Sequence, residues 1–205
     1  MYKGFVKRAL DILFALLFLI ILAPLFLIII ILICLDSRGG PFFCQERIGR
    51  NEKVYKIYKF RSMAENSEYT GLGVYSNDQD PRVTRIGRIL RKYSLDELPQ
   101  FINILKGDMS FVGPRPPLTY HPWSISEYTP KQRKMFTVRP GITGWAQVNG
   151  RRAINWNERI RLNNWYIENL TFGLDCKIAW MTVKAVLSNE NNANIGMTAP
   201  PPPMD

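Results

Sequence analysis

The sequence predicts an α+β fold, mainly helical, with an N-terminal re-entrant membrane helix hairpin, a β-hairpin and amphipathic interface helices. Three observations predict it. Residues 12–34 carry no charge, two aromatic and β-branched runs flank a turn, and later segments repeat apolar residues with helical spacing. At 205 residues the chain suits one domain plus an anchor. We therefore divide it into a membrane anchor at 1–38, a globular domain at 39–187 and a disordered tail at 188–205.

The anchor is predicted to enter and leave the membrane on one face. Its apolar run is long enough to span a bilayer, for which roughly 20 residues suffice, and too long for a typical signal peptide. Basic residues accumulate on both sides, so the positive-inside rule places both flanks in the cytoplasm. Near the middle, Pro24 follows Ala23, removes a helix hydrogen bond and bends the axis. A re-entrant hairpin satisfies both observations, whereas the alternative is a single bent span.

Residues 42–48 and 54–60 predict a β-hairpin around the turn Gly49-Arg50-Asn51-Glu52. The two-residue period places Tyr55, Ile57 and Lys59 on one face of the second strand. Lys59 and Arg61 close that strand, where one or both could reach a phosphate; a solvated lysine at a strand end is the commoner alternative. The polar residues 65–82 that follow predict a long loop, mobile or functional.

The strongest local signal is the pair Asp96 and Glu97. An apolar run follows them and Gly107 closes it, which predicts a helix with both carboxylates at its beginning. A helix beginning favours ionised carboxylates and bound phosphate, because its N–H groups are unpaired and its dipole is positive there. Ser94-x-x-Glu97 also fits a simple capping box, and this alternative stays open.

Three further helices are predicted. Residues 85–93 form a short basic amphipathic helix that suits the membrane interface, although an ordinary solvated face is an equal alternative. Residues 155–169 predict an amphipathic helix whose aromatic side chains suit packing in the core or at the membrane interface. Residues 175–187 predict the last helix.

Two arginines lie among residues that stiffen the backbone. Arg115 is enclosed by prolines in Gly113-Pro114-Arg115-Pro116-Pro117, and Arg139 precedes Pro140-Gly141. A fixed backbone lowers the entropy cost of ordering a guanidinium, which matches phosphate as a bidentate fork. Residues 147–152, which include Arg151, offer further donors.

The net charge of +10 is consistent with such phosphate chemistry. It predicts a polyanionic partner: nucleic acid, an anionic membrane surface or a phosphorylated substrate. The three cysteines form no metal or redox motif, which favours a reducing compartment. With His121 as the single histidine and no nucleophilic serine motif, a histidine-based triad is disfavoured.

Several long motifs in one order resemble the bacterial sugar transferase family, the monotopic phosphoglycosyl transferases. The resemblance covers roughly residues 2–187 and implies the minimal catalytic-domain form, without the multi-span N-terminal region of longer members. The family often has Ser-Pro at the hairpin bend, where this chain has Ala23-Pro24. The motifs that carry it are Lys7-Arg8-x-x-Asp11, Tyr58-Lys59-Phe60-Arg61-Ser62-Met63, Ser94-Leu95-Asp96-Glu97-Leu98-Pro99-Gln100, Lys106-Gly107-Asp108-Met109-Ser110, Gly113-Pro114-Arg115-Pro116 and Arg139-Pro140-Gly141-Ile142-Thr143-Gly144.

The resemblance implies transfer of a sugar phosphate from a UDP-sugar to undecaprenyl phosphate with release of UMP, at the start of membrane-bound glycan assembly. It further implies a re-entrant helix, a helix-associated β-hairpin, Mg²⁺ as cofactor and membrane lipid as partner, with downstream glycosyltransferases following. The domain at 39–187 would then be a cytoplasmic catalytic domain at the bacterial inner (cytoplasmic) membrane.

The resemblance also implies roles for individual residues. Asp96 matches the nucleophile and Glu97 its magnesium-binding neighbour, whereas Arg91 ties the interface helix to the membrane hairpin that bends at Pro24. The residues expected to line the phosphates and uridine are Lys59, Arg115, Arg139 and Arg151.

Two alternatives remain open. A membrane-anchored basic protein that binds anionic lipid or nucleic acid would explain the charge but not the Asp-Glu pair, so no nucleic acid partner is expected. Within the enzyme class, Asp96 could act only as metal ligand or base during direct transfer. The sequence carries no code for the sugar.

Overall fold

The computed structural model describes residues 2–65, 67, 80–149 and 154–188. These residues form helices around two small sheets, in agreement with the predicted α+β class. The helices are α1 Lys7–Ile21, α2 Ala23–Asp36, α3 Arg85–Lys92, α4 Gln100–Lys106, α5 Pro130–Arg133, α6 Trp145–Asn149, α7 Trp156–Glu168 and α8 Phe172–Leu187. The strands are β1 Phe42–Ile48, β2 Val54–Phe60, β3 Ser110–Val112 and β4 Gly141–Thr143.

The anchor folds as two helices that meet at Leu22. Among the described residues, no individual helix has the length and apolarity to cross a bilayer alone; the consecutive pair Tyr2–Ile21 and Ala23–Asp36, bent by 62°, meets those criteria together. Pro24 lies in the first turn of α2, where its missing N–H costs little. The bend is therefore where the sequence predicts it, and re-entry into the membrane stays a prediction.

Three polar side chains of α1 fasten the anchor to three elements of the globular part. Lys7 Nζ lies 2.5 Å from Asp175 Oδ2 in α8. Arg8 donates to Ile104 O at the end of α4, over 2.7 Å, and Asp11 Oδ1 accepts from the backbone N–H of Phe111 in β3, over 3.1 Å. These contacts fix α1 against α4 and β3 although the outer faces of α1 and α2 are apolar and exposed.

The predicted β-hairpin is confirmed with the predicted bounds. Strands β1 and β2 pair antiparallel, with Phe42 opposite Phe60 and Ile48 opposite Val54. The turn contains Asn51 and Glu52 at positive φ. Phe60 packs against α2 through Phe26, with ring centroids 5.0 Å apart, so the hairpin is associated with a helix as expected.

A second, parallel sheet was not predicted. It pairs β3 with β4 and thereby sets the two arginine motifs side by side: Gly141 N donates to Pro114 O over 3.0 Å. A Cβ on Gly113 would lie 2.4 Å from Arg139 O, so only glycine allows this close approach. The loops that carry Arg115 and Arg139 are consequently in backbone contact.

The later helices agree with prediction except at their beginnings. Helix α7 begins after Asn155, whose side chain accepts from Glu158 N. Helix α8 begins at Phe172, three residues before the predicted start, because Thr171 caps it. Most of the predicted loop at 65–82 and the predicted disordered tail, apart from Ser188, lie outside the described residues.

Candidate active site

Asp96 and Glu97 lie in a separate turn before α4, not in its first turn. A 3-10 helix spans Leu95–Glu97, and Ser94 ahead of it is left-handed with φ 55° and makes no side-chain cap. The predicted start of the α-helix at the carboxylates is therefore wrong, because α4 begins only at Gln100, after Leu98 and Pro99. The capping-box alternative is also wrong, because the Ser94 side chain makes no cap hydrogen bond. The end predicted at Gly107 is confirmed, with φ 93°.

The carboxylate turn packs directly on the anchor. Leu95 and Leu98, on either side of the two carboxylates, join the apolar cluster that contains Ile29 and Ile33 of α2. The turn is thus held against the middle and the C-terminal part of α2.

Two of the predicted cations converge on Glu97. Lys59 Nζ, at the end of β2, lies 2.7 Å from Glu97 Oε1, and Arg115 Nη1 lies 4.0 Å from the same oxygen. The Glu97 side chain is only 21% exposed, so these charges interact at a lower effective dielectric than they would in water. The β-hairpin, the proline loop and the carboxylate turn meet at this point.

The two carboxylates have different proton affinities. Burial raises the pKa of Asp96 to about 6, against the lowering effect of Lys59, while the charge of Glu97 raises it further. Burial acts to raise the pKa of Glu97 too, but Lys59 and Arg115 hold it below its ordinary value. At neutral pH the pair therefore offers an ionised Glu97 held by cations and an Asp96 carboxylate that is weakly stabilised and basic, as a nucleophile requires.

Arg91 lies beside this turn. Its Nε donates to Ser62 Oγ over 3.0 Å, and burial lowers the pKa of Arg91 while Asp96 raises it. The junction between α3 and the anchor is made by Asp36, whose Oδ2 accepts from Ile86 N over 2.9 Å, and by the apolar contacts of Leu90. The expected role of Arg91 in that junction remains a prediction.

The other two predicted phosphate ligands are not brought to the carboxylates by any described contact. Arg139 Nε donates to Gly107 O over 2.8 Å, at the opposite end of α4 from Asp96. Arg151 lies outside the described residues.

Sequence reasoning missed two arginines near Arg115. Arg47 in β1 interacts electrostatically with both Arg115 and Glu97, and Arg159 in α7 interacts with Arg115. Each sits in a regular element where an arginine is usually solvated. The alternation of β1 could have flagged Arg47, because it shares the inward face with Gln45, but the approach of α7 depends on tertiary structure.

Glu97 is the residue that the sequence assigns to magnesium. Within the described ranges, no three His, Cys, Asp or Glu side chains cluster as a metal site. Adjacent Asp96 and Glu97 are hard oxygen donors, which suit Mg²⁺ when phosphate oxygens and waters supply the remaining ligands. The donor set fits magnesium, although Lys59 binds one oxygen of Glu97.

Comparison with known proteins adds family relationships to this geometry. Residues 2–189 match the model of the family described as "Bacterial sugar transferase". The chain is 42% identical over 188 residues to "UDP-N-acetylgalactosamine-undecaprenyl-phosphate N-acetylgalactosaminephosphotransferase" of Aeromonas hydrophila, covering 90% of this chain and 44% of that protein.

Two more relatives differ widely in length. "Uncharacterized sugar transferase EpsL" of Bacillus subtilis (strain 168) is 42% identical over 184 residues, covering 90% of this chain and 88% of the relative. "UDP-glucose:undecaprenyl-phosphate glucose-1-phosphate transferase" of Escherichia coli (strain K12) is 40% identical over 184 residues, covering 86% of this chain and 39% of the relative. The chain thus spans less than half the length of two of these three relatives.

Proposed function

The chain belongs to the bacterial sugar transferase family, and from that premise we propose that it is a phosphoglycosyl transferase. It moves a sugar phosphate from a UDP-sugar to undecaprenyl phosphate, releases UMP and so initiates membrane-bound glycan assembly. The observation that carries the proposal is the carboxylate turn: Asp96 and Glu97 pack on the anchor and meet Lys59 and Arg115. The names of relatives supply the polyprenyl acceptor and a sugar nucleotide donor.

The proposed reaction has two displacements on phosphorus. In the first, an Asp96 oxygen attacks the β-phosphorus of the UDP-sugar, the new O–P bond forms, and the bond to the bridging oxygen breaks. UMP leaves with that electron pair. In the second, a phosphate oxygen of undecaprenyl phosphate attacks the aspartyl phosphosugar, which releases the Asp96 carboxylate and yields undecaprenyl diphosphate-sugar.

Asp96, rather than Glu97, is assigned as nucleophile on electrostatic grounds. Lys59 and Arg115 stabilise the ionised form of Glu97 and so lower its pKa, and a lower pKa makes a carboxylate a weaker base. The raised pKa of Asp96, about 6, leaves it ionised at neutral pH but poorly compensated, which favours bond formation to phosphorus.

Lys59 and Arg115 are proposed to bind the phosphates. They lie close enough to Glu97 to neutralise negative charge beside it, and stabilisation of the charge in the transition state is the main source of catalysis in phosphoryl transfer. Lys59 would exchange its contact with Glu97 for a phosphate oxygen when substrate binds. Arg139 and Arg151 remain proposed ligands for the phosphates and uridine.

Magnesium belongs to the same proposal, with Glu97 as the residue that would hold it. Bound there with phosphate oxygens, the ion supplies charge neutralisation on the diphosphate. Glu97 keeps one carboxylate oxygen for that role beside Lys59.

The proposed location is the bacterial inner membrane, with the active site on the cytoplasmic face. A polyprenyl phosphate presents its headgroup at the membrane surface, and the carboxylate turn is packed on an apolar anchor helix with exposed outer side chains. Entry and exit of the anchor on one face would hold Asp96 at headgroup depth.

The test is UMP release from a panel of UDP-sugars with undecaprenyl phosphate, together with isolation of a phosphosugar adduct from enzyme and UDP-sugar alone. We expect wild-type protein to form the adduct with at least one sugar, and Asp96→Asn to lose the adduct and UMP release by a factor of about 10³ or more. Full UMP release by Asp96→Asn would refute the nucleophile. Turnover without any adduct would favour direct transfer, and salt-sensitive polyanion binding without UMP release would favour the binding protein.

A further inference from the structure

The proline loop, residues 113–117, carries Arg115 among three buried prolines. Proline has no backbone N–H, so each of them can bond its neighbours only through its carbonyl oxygen, and a buried carbonyl requires a donor. Ahead of Arg115, Pro114 O accepts from Gly141 N over 3.0 Å. Strand β4 therefore fixes the loop on that side.

Strand β1 supplies the donors on the other side of Arg115. Arg47 Nη1 donates to Pro116 O over 3.1 Å, and the backbone of Ile48 donates to Pro117 O over 3.1 Å. The bond to Pro116, the residue next to Arg115, comes from a side chain, whereas the other comes from the backbone. A substitution of Arg47 can therefore remove the bond nearest to Arg115 while the backbone bond remains.

The guanidinium of Arg47 is itself oriented by a second bond. Its Nη2 donates to Gln45 Oε1 over 2.7 Å, two residues earlier on the same face of β1. A guanidinium is planar and rigid, so two of its donors bound to two acceptors fix both its position and its plane. A lysine ammonium on its flexible stem could bond Pro116 O but would lack this second constraint.

Both strands of the β-hairpin thereby act beside the same carboxylate oxygen. Lys59, at the end of β2, lies 2.7 Å from Glu97 Oε1, and Arg115, in the loop that β1 holds, lies 4.0 Å from it. Strands β1 and β2 are paired along their whole length. The hairpin consequently sets the spacing between the two cations that the proposed function places on the phosphates.

We propose that Arg47 is a positioning residue: by holding Pro116 O, it fixes the direction from which Arg115 approaches the diphosphate of the sugar nucleotide. This assignment rests on the proposed function. Arg47 acts through the proline loop and does not bind the phosphates itself. Without it, Arg115 has to be ordered when the ligand binds, and that ordering lowers the affinity.

A double-mutant cycle on UDP affinity, measured with the full chain in lipid nanodiscs, tests the proposal. Arg47→Met keeps the length of the side chain but removes its donors, and we expect it to weaken UDP binding about fivefold or more. Arg115→Ala should weaken it about tenfold or more. Because Arg47 acts through Arg115, the double variant should bind UDP within about twofold of Arg115→Ala. Additive losses would overturn the proposal, since the effect of Arg47 would then not pass through Arg115.

Two further variants separate positioning from a general loss of structure. Arg47→Lys keeps the charge and one donor to Pro116 O, and should recover part of the affinity but not all of it. The matched control is Arg133→Met. Arg133 also donates to backbone carbonyls, those of Tyr128 and Ile125, and it pairs with the hairpin turn through Glu52. None of these partners lies in the proline loop, so the UDP affinity of Arg133→Met should stay within about twofold of wild type.

Three results would contradict the role given to Arg47. The first is unchanged UDP affinity in a folded Arg47→Met. The second is an equal loss in Arg133→Met, which would show that any weakened contact of the hairpin lowers the affinity. If Arg47→Met does not fold, Arg47→Lys replaces it in the cycle; there the third result is either full UDP affinity or a loss that persists undiminished beside Arg115→Ala.

Failure of this inference differs from failure of the proposed function, because UDP binding is measured without turnover. Coupling between Arg47 and Arg115 in a protein that never releases UMP from any UDP-sugar would leave the positioning role and refute the transferase. Normal UMP release together with additive losses in the cycle would leave the transferase and refute the positioning role.

Discussion

At the scale of single residues, the two neighbouring acids of the carboxylate turn have pKa values shifted in opposite directions. Glu97 contacts Lys59 at 2.7 Å and has a lowered pKa, whereas burial raises the pKa of Asp96 to about 6. Lys59 lowers both pKa values, so a substitution of Lys59 should alter the titration of Asp96.

The first prediction therefore concerns the pH profile. Activity should decline as the pH falls below about 6, because protonated Asp96 cannot attack phosphorus. Lys59→Gln should move the midpoint of this acid limb to higher pH, since it removes the charge that favours the ionised form. The measurement is the rate of UMP release against pH at substrate concentrations well below KM, which reports the pKa of the free enzyme.

Lys56→Gln is the matched control, because Lys56 lies in the same strand and is exposed. Its acid limb should coincide with that of wild type. An acid limb that stays in place in Lys59→Gln would show that a different group governs it.

The second prediction concerns stability. The native pKa of Asp96 is about 6 against an unfolded value of about 3.9, so the native state binds more protons between these values. Its stabilising contribution is present at low pH and is lost as pH rises through this window. Asp96→Asn, which mimics the protonated acid, should consequently have a higher free energy of unfolding than wild type at pH 7.5 and a smaller difference near pH 4.

Glu168→Gln supplies a control of opposite sign. Its carboxylate bonds Lys134 and has a lowered pKa, so its removal should slightly destabilise the protein at pH 7.5. Denaturant unfolding at the two pH values measures both variants. A destabilised Asp96→Asn at pH 7.5 would mean that the contacts of the ionised group outweigh its burial.

Site residues that lie in a recognisable sequence motif were predicted. Residues that reach the site only through tertiary packing were not. Lys59 and Arg115 stand in recognisable motifs, and both contact Glu97. Arg159 is one of several charged residues on a polar helix, and its neighbour Arg115 is far away in the chain. Nothing local distinguishes it from Arg161, which is solvated.

At the scale of elements, Asn103 joins the β-hairpin to α4. Its Oδ1 accepts from Tyr58 N over 2.9 Å and its Nδ2 donates to Lys56 O over 2.7 Å. The side-chain amide therefore pairs with two backbone groups on the edge of β2, as a neighbouring strand would. Because Lys59 follows in β2 and Glu97 precedes α4, this link sets the register between the two.

The third prediction tests that link. Asn103→Leu should lower the free energy of unfolding by about 2–4 kcal/mol, because two backbone groups of β2 lose their partner in a site that is 0% exposed. Asn169→Leu is the control, since its amide bonds Trp165 O at an exposed site and should cost less than about 1 kcal/mol. Equal losses in the two variants would contradict the role given to Asn103.

Elements were predicted from the sequence when the residues that stabilise them are close together in the chain. The β-hairpin was predicted with its bounds because both strands and the turn lie in 19 consecutive residues, Phe42 to Phe60. Strands β3 and β4 escaped prediction because each has three residues and its partner is about thirty residues away. The early start of α8 follows from the Thr171 cap, a signal that was present in the sequence but overlooked.

At the scale of the whole molecule, the anchor and the globular part share one polar network. Asp175 of α8 binds Lys7 Nζ at 2.5 Å, Tyr2 Oη at 2.6 Å and Tyr166 Oη at 2.7 Å. With Arg8 on the end of α4, these contacts fix α1 relative to the helix that follows the carboxylates. The position of the carboxylate turn relative to α1 is therefore fixed by these contacts.

The last prediction concerns the path of the anchor. Cysteines placed at Gly4 and Gly40, in a chain whose exposed Cys34, Cys44 and Cys176 are replaced, should report the two ends of the anchor; both glycines have open space for a side chain. If the anchor re-enters, an impermeant maleimide should label both positions in inverted inner-membrane vesicles and neither in intact spheroplasts. Labelling of one position from each side would establish a bent single span. Leu95 and Leu98 would then be packed on a crossing helix, and the placement of Asp96 at the cytoplasmic headgroups would lose its physical basis.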